Sequence, residues 1–339
     1  MAWATTCPII IINDRVFLFN RIPYGNVPNI FTIMLKTPKS LLEAIRYYSS
    51  EVVCVEFLST IFWGGGEKCC IKCGSTDIYG MRTRPAIKCR DCKKQFSLKS
   101  GTVMHNSPLP ITKWIPAVWM VVNCKNGISS YEVARALNIT QKSAWHLGHR
   151  IREGLAKEAG EKLTGSVEID ESYFGGLQKN RHADKVKSHG GSEGKTIVFG
   201  AVERGGKVQA RVIEDTHAAT LQNQVLATVK IGSNLYSDEE KSYKALGVVY
   251  DHATVNHKRG QYVKGNAHSN TIENYWSLVK RALKGTYIHV ESFHLDRYLD
   301  EQGFRYDNRK DNDSGRFIKA ATMLFGKRLT YEELTGASL

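Results

Sequence analysis

The sequence predicts an α/β domain, a mixed sheet flanked by helices, preceded by a small metal-pinned ribbon and a group of three helices. Three observations predict it. Two Cys-x-x-Cys pairs lie 15 residues apart. After them come helical runs separated by short cap and turn signals. From Gly165 onward the pattern changes to alternating apolar strands interrupted by helices.

The chain has 339 residues, 42% hydrophobic and 24% charged, enough to bury cores in two or three domains. Its 47 Lys and Arg against 33 Asp and Glu leave a net charge of +14, which favours a polyanionic partner because each neutralised phosphate releases condensed counterions. No apolar run reaches the ~20 residues that span a bilayer, and Pro8 to Ile12 is too short and wrongly flanked for a signal peptide. The expected location is therefore inside the cell with DNA, in cytoplasm or nucleoid or in a nucleus, and no membrane partner is expected. Eight cysteines in a reducing compartment then suggest metal binding before disulfides.

Residues 1–36 carry no usable pattern and stand as an unassigned extension. Within 37–66, helical spacing runs from Ser40 to Tyr48 and again over Phe57, Leu58, Ile61 and Phe62, before Gly64-Gly65-Gly66 breaks it. In 67–105, Cys70, Cys73, Cys89 and Cys92 form two knuckles whose thiolates can close a tetrahedron around one structural zinc ion. Cys69 adjoins the first knuckle and could take its place. From Lys68 to Lys113 there are ten Lys or Arg against two acids, the charge of a DNA-contacting module.

Region 106–160 holds an apolar helix from Ile111 to Asn123, a short helix capped by Ser129 or Ser130 through Leu137, a turn at Asn138, and a helix capped by Thr140 to about Leu155. This order suits a helix-turn-helix, and it also suits a plain helical packing unit. In the first case Ala144, Leu147 and Ile151 face inward, while Gln141, Lys142, His146 and Arg150 face a major groove.

Region 161–310 reads as strands at Gly165–Phe174, Lys195–Arg204 and Lys207–Glu214, a helix at His217–Lys230, strands at Asn234–Ser237 and Val248–Tyr250, and a helix at Ser269–Leu283. That order is the one of a ribonuclease-H-like fold. Leu177 to Lys195, glycine-rich and basic, reads as a mobile loop that orders on DNA. A C-terminal helical tail, 311–339, closes the chain.

Asp170 sits in an apolar strand where a charge needs a reason, Asp238 follows another strand end, and Glu273 lies on the following helix. In this fold those positions converge at one sheet edge, where carboxylates hold two divalent ions about 3.5–4 Å apart. Hard Mg²⁺ or Mn²⁺ prefers such oxygen ligands. Glu168 and Glu171 are read as turning to the opposite face of the strand from Asp170, as second-choice ligands.

The order Cys70-x-x-Cys73, Cys89-x-x-Cys92-x-x-Gln95-Phe-Ser97, Ser100-Gly-Thr102, Val167-Glu-Ile-Asp-Glu-Ser-Tyr-Phe-Gly-Gly176, Ser237-Asp-Glu239 and His268-Ser-Asn-Thr-Ile-Glu-Asn-Tyr-Trp-Ser-Leu-Val-Lys-Arg281 resembles zinc-ribbon insertion-sequence transposases of the DDE superfamily, ISXO2-like and related to Merlin elements. The resemblance covers roughly residues 38–310, including Gly285-Thr-Tyr287 and His294-Leu-Asp-Arg-Tyr-Leu-Asp-Glu301. It implies cut-and-paste transposition of an element bounded by inverted repeats, with the ribbon and the helix-turn-helix recognising double-stranded DNA ends. It also implies catalysis by Asp170, Asp238 and Glu273 with Lys280 as basic partner, and 34 residues between the last two acids fit that family. Joining two ends implies a homodimer or larger synaptic complex.

Asn270 competes with Glu273 as third metal ligand. At about 100° per residue, Ile272, Trp276, Val279 and Leu283 define the packed face of the helix. Glu273 and Lys280 then fall at its boundary, while Asn270 points mainly to solvent or DNA. Glu273 is therefore expected as ligand, Lys280 as a phosphate contact, and Asn270 as a DNA or supporting contact. Two other readings compete with the transposase: a domesticated DNA-binding regulator that no longer cuts, and a nuclease or resolvase of the same fold. The intact acid set disfavours the first, and the two-part DNA-reading front end disfavours the second.

Overall fold

A computed structural model describes residues 38–157, 161–175, 195–238, 241–255 and 269–336. The chain divides into two compact units, one of Met1–Cys124, Ile128–Leu155 and Asp311–Leu339, the other of Lys125–Gly127 and Ala156–Lys310. The extension 1–36 and the basic loop, apart from Lys195, lie outside the described residues.

In the first unit, α1 (Leu41–Tyr47) starts at Ser40, whose hydroxyl accepts from the Glu43 N–H at 3.2 Å. Next, α2 (Glu51–Phe62) is longer than its apolar spacing alone suggested. A three-stranded antiparallel ribbon follows, β1 (Ile78–Gly80), β2 (Ile87–Cys89) and β3 (Gln95–Phe96). Then come α3 (Ile111–Asn123), α4 (Ser130–Leu137) and α5 (Gln141–Leu155). Ser129 closes a full capping box with Glu132, and Asn138 takes the left-handed conformation (φ 49°) that ends α4.

The C-terminal segment returns to this unit as α9 (Asp313–Met323) and α10 (Tyr331–Thr335). Phe317 of α9 stacks on Phe57 at 5.3 Å and meets Trp119 at 5.1 Å, so the tail supplies part of the core.

The second unit contains β4 (Ser166–Phe174), β5 (Thr196–Glu203), β6 (Val208–Ile213), α6 (Ala218–Thr228), β7 (Asn234–Asp238), β8 (Asp251–Val255), α7 (Asn270–Ala282) and α8 (Ser292–Asp307). The sheet order is β6-β5-β4-β7-β8: the first three strands pair antiparallel, while β7 joins β4, and β8 joins β7, in parallel. One sheet face packs α7 and α8 through Val198, Val202, Ile272, Tyr275 and Trp276; the other packs α6 through Val167, Ile169, Leu221 and Val225. The result is a mixed sheet between two helical layers.

One strand differs from expectation. Val248–Tyr250 is not β: a 3₁₀ helix runs Lys241–Val248, and β8 begins only at Asp251. Short apolar runs suit either a strand or a buried helical turn, and periodicity does not separate them.

Candidate active site

Asp170 lies in the middle of β4, and Asp238 is the last residue of β7. The parallel register pairs Glu168 with Tyr236, so two further residues along each strand bring Asp238 beside Asp170. Glu273 sits in the first turn of α7. Asp170, Asp238 and Glu273 line one cavity of about 160 Å³ together with Ile169 and Ser269, and the Ser269 hydroxyl donates to Glu273 Oε1 at 3.2 Å. Burial pushes the Asp170 carboxyl up to about 6; the negative charges of Asp238 and Glu273 add to the shift, while N–H groups of Glu171 and Trp276 oppose it. Such a cluster is a site where three acids repel one another and a bound cation relieves the repulsion, so the donor set fits hard divalent ions.

Trp276 fixes the orientation of Asp170, since its indole Nε1–H donates to Asp170 Oδ2 at 3.0 Å. Gly200 stands opposite Asp170 on β5 and leaves room for the indole, since a Cβ there would come within 2.4 Å of Trp276 Cζ2.

Glu168 requires a correction. Residues two apart on a strand share a face, so it lies on the same side as Asp170 rather than the opposite one. It is fully buried, and its oxygens accept from Arg204 Nε (2.7 Å), Thr271 N (2.8 Å), Thr271 Oγ1 (2.9 Å) and Ile272 N (3.0 Å). With those donors in place it is not a spare metal ligand. Asn270 and Lys280 are exposed, and neither lines the cavity; Lys280 Nζ stands 5.9 Å from the Phe174 ring.

In the ribbon, the four sulfurs of Cys70, Cys73, Cys89 and Cys92 lie within 4.8 Å of one another, with Cys70–Cys92 and Cys73–Cys89 each at 3.6 Å. A tetrahedron with Zn–S of about 2.3 Å has edges of about 3.8 Å, so the set fits zinc. Burial pushes the Cys70 thiol up to about 12. At Cys89 burial acts in the same direction but is outweighed by the N–H groups of Cys92 and Asp91, which draw it down to about 7. Cys69 is not in the set; its carbonyl accepts from Trp63 Nε1 at 2.9 Å.

On α5, Lys142 is exposed, Gln141 donates to Ser130 Oγ at 2.9 Å, and His146 is half-buried with its ring edge on Tyr331 of α10, 5.8 Å away. Arg150 does not face outward as expected. It is buried, donates to the His105 carbonyl and lies 5.6 Å from the Trp114 ring. The sequence placed it by helical angle alone, and a neighbouring loop covers that angle.

Residues 162–307 match the family described as ISXO2-like transposase domain, and residues 49–95 match the transposase zinc-ribbon domain. An uncharacterized transposase-like protein of Haemophilus influenzae is 30% identical over 103 residues, 30% of this chain and 82% of that protein. An uncharacterized protein in transposable element ISH50 of Halobacterium salinarum is 27% identical over 254 residues, 70% of this chain and 85% of that one. The likeness to the solved mariner Mos1 paired end complex with Mg is faint, at 13% identity over 63% of this chain and 79% of that one with a TM-score of 0.24. The fold and site define a ribbon-bearing protein with a carboxylate cluster on a mixed sheet. The chain belongs to the zinc-ribbon, ISXO2-like transposases of the DDE superfamily. Among the described residues no helix is long and apolar enough to cross a membrane.

Proposed function

We propose that this chain cuts DNA strands at the terminal inverted repeats of a mobile element and joins them to a target, using Mg²⁺ or Mn²⁺ held by Asp170, Asp238 and Glu273 on a ribonuclease-H-like sheet. The observation that carries this reading is the convergence of the three carboxylates on one 160 Å³ cavity. Divalent ions bound there supply an activated water or DNA 3′-hydroxyl and stabilise the leaving oxygen.

The chain's own residues do the rest. Trp276 holds one oxygen of Asp170, so the carboxylate enters the cavity in a set orientation. Ser269 does the same for Glu273. Lys280, two turns along the helix from Glu273, offers an exposed cation for a phosphate, and Asn270 offers an amide to DNA beside it. In this reading Gln141, Lys142 and His146, in the first half of α5, make the base-edge contacts of a helix-turn-helix. Arg150 instead supports the unit from within. The zinc ribbon adds basic phosphate contacts, and two copies bring two ends together.

The test is to incubate the protein with labelled duplexes that carry the element's ends or the same bases shuffled. Strand cuts at the end junction that require Mg²⁺ and vanish with a chelator are the expected result. Specific binding with no cutting under any divalent ion would replace this reading with that of a DNA-binding regulator. Equal cutting of end and shuffled duplexes would point to a general nuclease.

A further inference from the structure

We infer that Glu168 is a positioning residue that sets the distance between Asp170 and Glu273; the inference rests on reading those two acids as metal ligands. Glu168 is a fully buried carboxylate on β4, two residues before Asp170 and on the same face. Its oxygens take the N–H groups of Thr271 and Ile272 and the Thr271 hydroxyl, all in the first turn of α7, which also carries Glu273. First-turn N–H groups have no partner within their own helix, and here a strand carboxylate supplies one.

A second contact lies along the same helix, from Trp276 Nε1 to Asp170 Oδ2. The helix is thus pinned to β4 at two points, at Thr271–Ile272 and at Trp276, and Glu273 lies between them. Two pins on one helix fix its sliding and its rotation together. The path from Asp170 to Glu273 runs through two residues of strand, one set of short hydrogen bonds and one helical turn.

Arg204 completes the anchor from the other side. Its Nε bonds Glu168 at 2.7 Å, and its guanidinium lies 4.0 Å from the Tyr236 ring of β7, the strand that ends in Asp238. Arg204 balances the buried charge, while Glu168 bonds the first turn of the helix.

The test reads Mn²⁺ binding by calorimetry on the full-length, zinc-loaded protein without DNA, at a temperature below the melting transition of each variant. Glu168→Gln is expected to weaken Mn²⁺ binding by about ten-fold or more, with zinc content unchanged and end-DNA affinity within about two-fold. Thr271→Val, which removes one donor, is expected to weaken it by about three-fold, and Thr271→Ser to restore it. Val225→Ala, in the core on the opposite sheet face, controls for general loosening and is expected to bind Mn²⁺ as the parent does.

Parental Mn²⁺ binding by folded Glu168→Gln would overturn the inference, as would an equal loss in Val225→Ala. If Glu168→Gln does not fold, Thr271→Val decides: weakened binding supports the inference and unchanged binding overturns it. Asp170→Asn separates this from the underlying reading. If it binds Mn²⁺ like the parent, the metal-ligand assignment fails; if it loses binding while Glu168→Gln keeps it, only the positioning role fails.

Discussion

Glu273→Gln is expected to lower Mg²⁺-dependent strand cleavage by about a thousand-fold in a protein that still binds element ends, whereas Asn270→Ala lowers it by about ten-fold at most. The first figure follows from losing a carboxylate proposed as a metal ligand, a role worth several kcal/mol of transition-state stabilisation, at about 1.4 kcal/mol per factor of ten. The contrast follows from geometry. Glu273 lines the cavity with Asp170 and Asp238 and is oriented by Ser269, while Asn270, three residues earlier on the same helix, is exposed and outside the lining. Retained cleavage in the first variant with full loss in the second would give the ligand role to the amide.

Cys89→Ser is expected to take bound zinc from one ion per chain to none and to unfold the ribbon. The three ribbon strands have only three, three and two residues, so their ladder and small core hold little free energy of their own. A structural zinc site contributes about 10–16 kcal/mol of coupled binding and folding, and here it would join Cys70 and Cys73 to Cys89 and Cys92 across the sheet. Loss of one thiolate opens the tetrahedron. End-DNA affinity should fall with it, because the ribbon's exposed cations lose their fixed arrangement. Metal analysis of purified protein checks the stoichiometry, and an unchanged zinc content would remove Cys89 from the ligand set.

Features written in local spacing are legible in the sequence itself. The four cysteines fall into one cluster because each knuckle is a three-residue turn, and the packed face of α7 follows from residue angles, with Ile272, Trp276 and Val279 buried and Glu273 at its edge. The strand series likewise followed from alternation and turn residues, except at Val248–Tyr250, where a short apolar run belongs to the end of a 3₁₀ turn.

What escaped was set by distant partners. Glu168 shares the face of Asp170, as the two-residue period of a strand requires. Its occupation by Thr271 and Ile272, more than 100 residues away, no local pattern shows. Arg150 looked like a DNA contact because a helical wheel says nothing about the loop that buries it. Gly200 carried no signal of its own; its meaning is the indole edge lying against it. The C-terminal segment, read as a tail, supplies Phe317 to the core of the first unit through rings contributed from Phe57 and Trp119.

Asp170, Asp238 and Glu273 together are proposed to hold the divalent ions. This is tested most directly by anomalous diffraction from crystals of the protein grown with Mn²⁺. Anomalous peaks are expected inside the cavity, bonded to oxygens of all three residues, with Glu168 still bonded to Thr271 and Ile272. A peak ligated by Glu168 or Asn270 in place of Glu273, or full Mn²⁺ occupancy elsewhere with none at Asp170, would contradict that assignment.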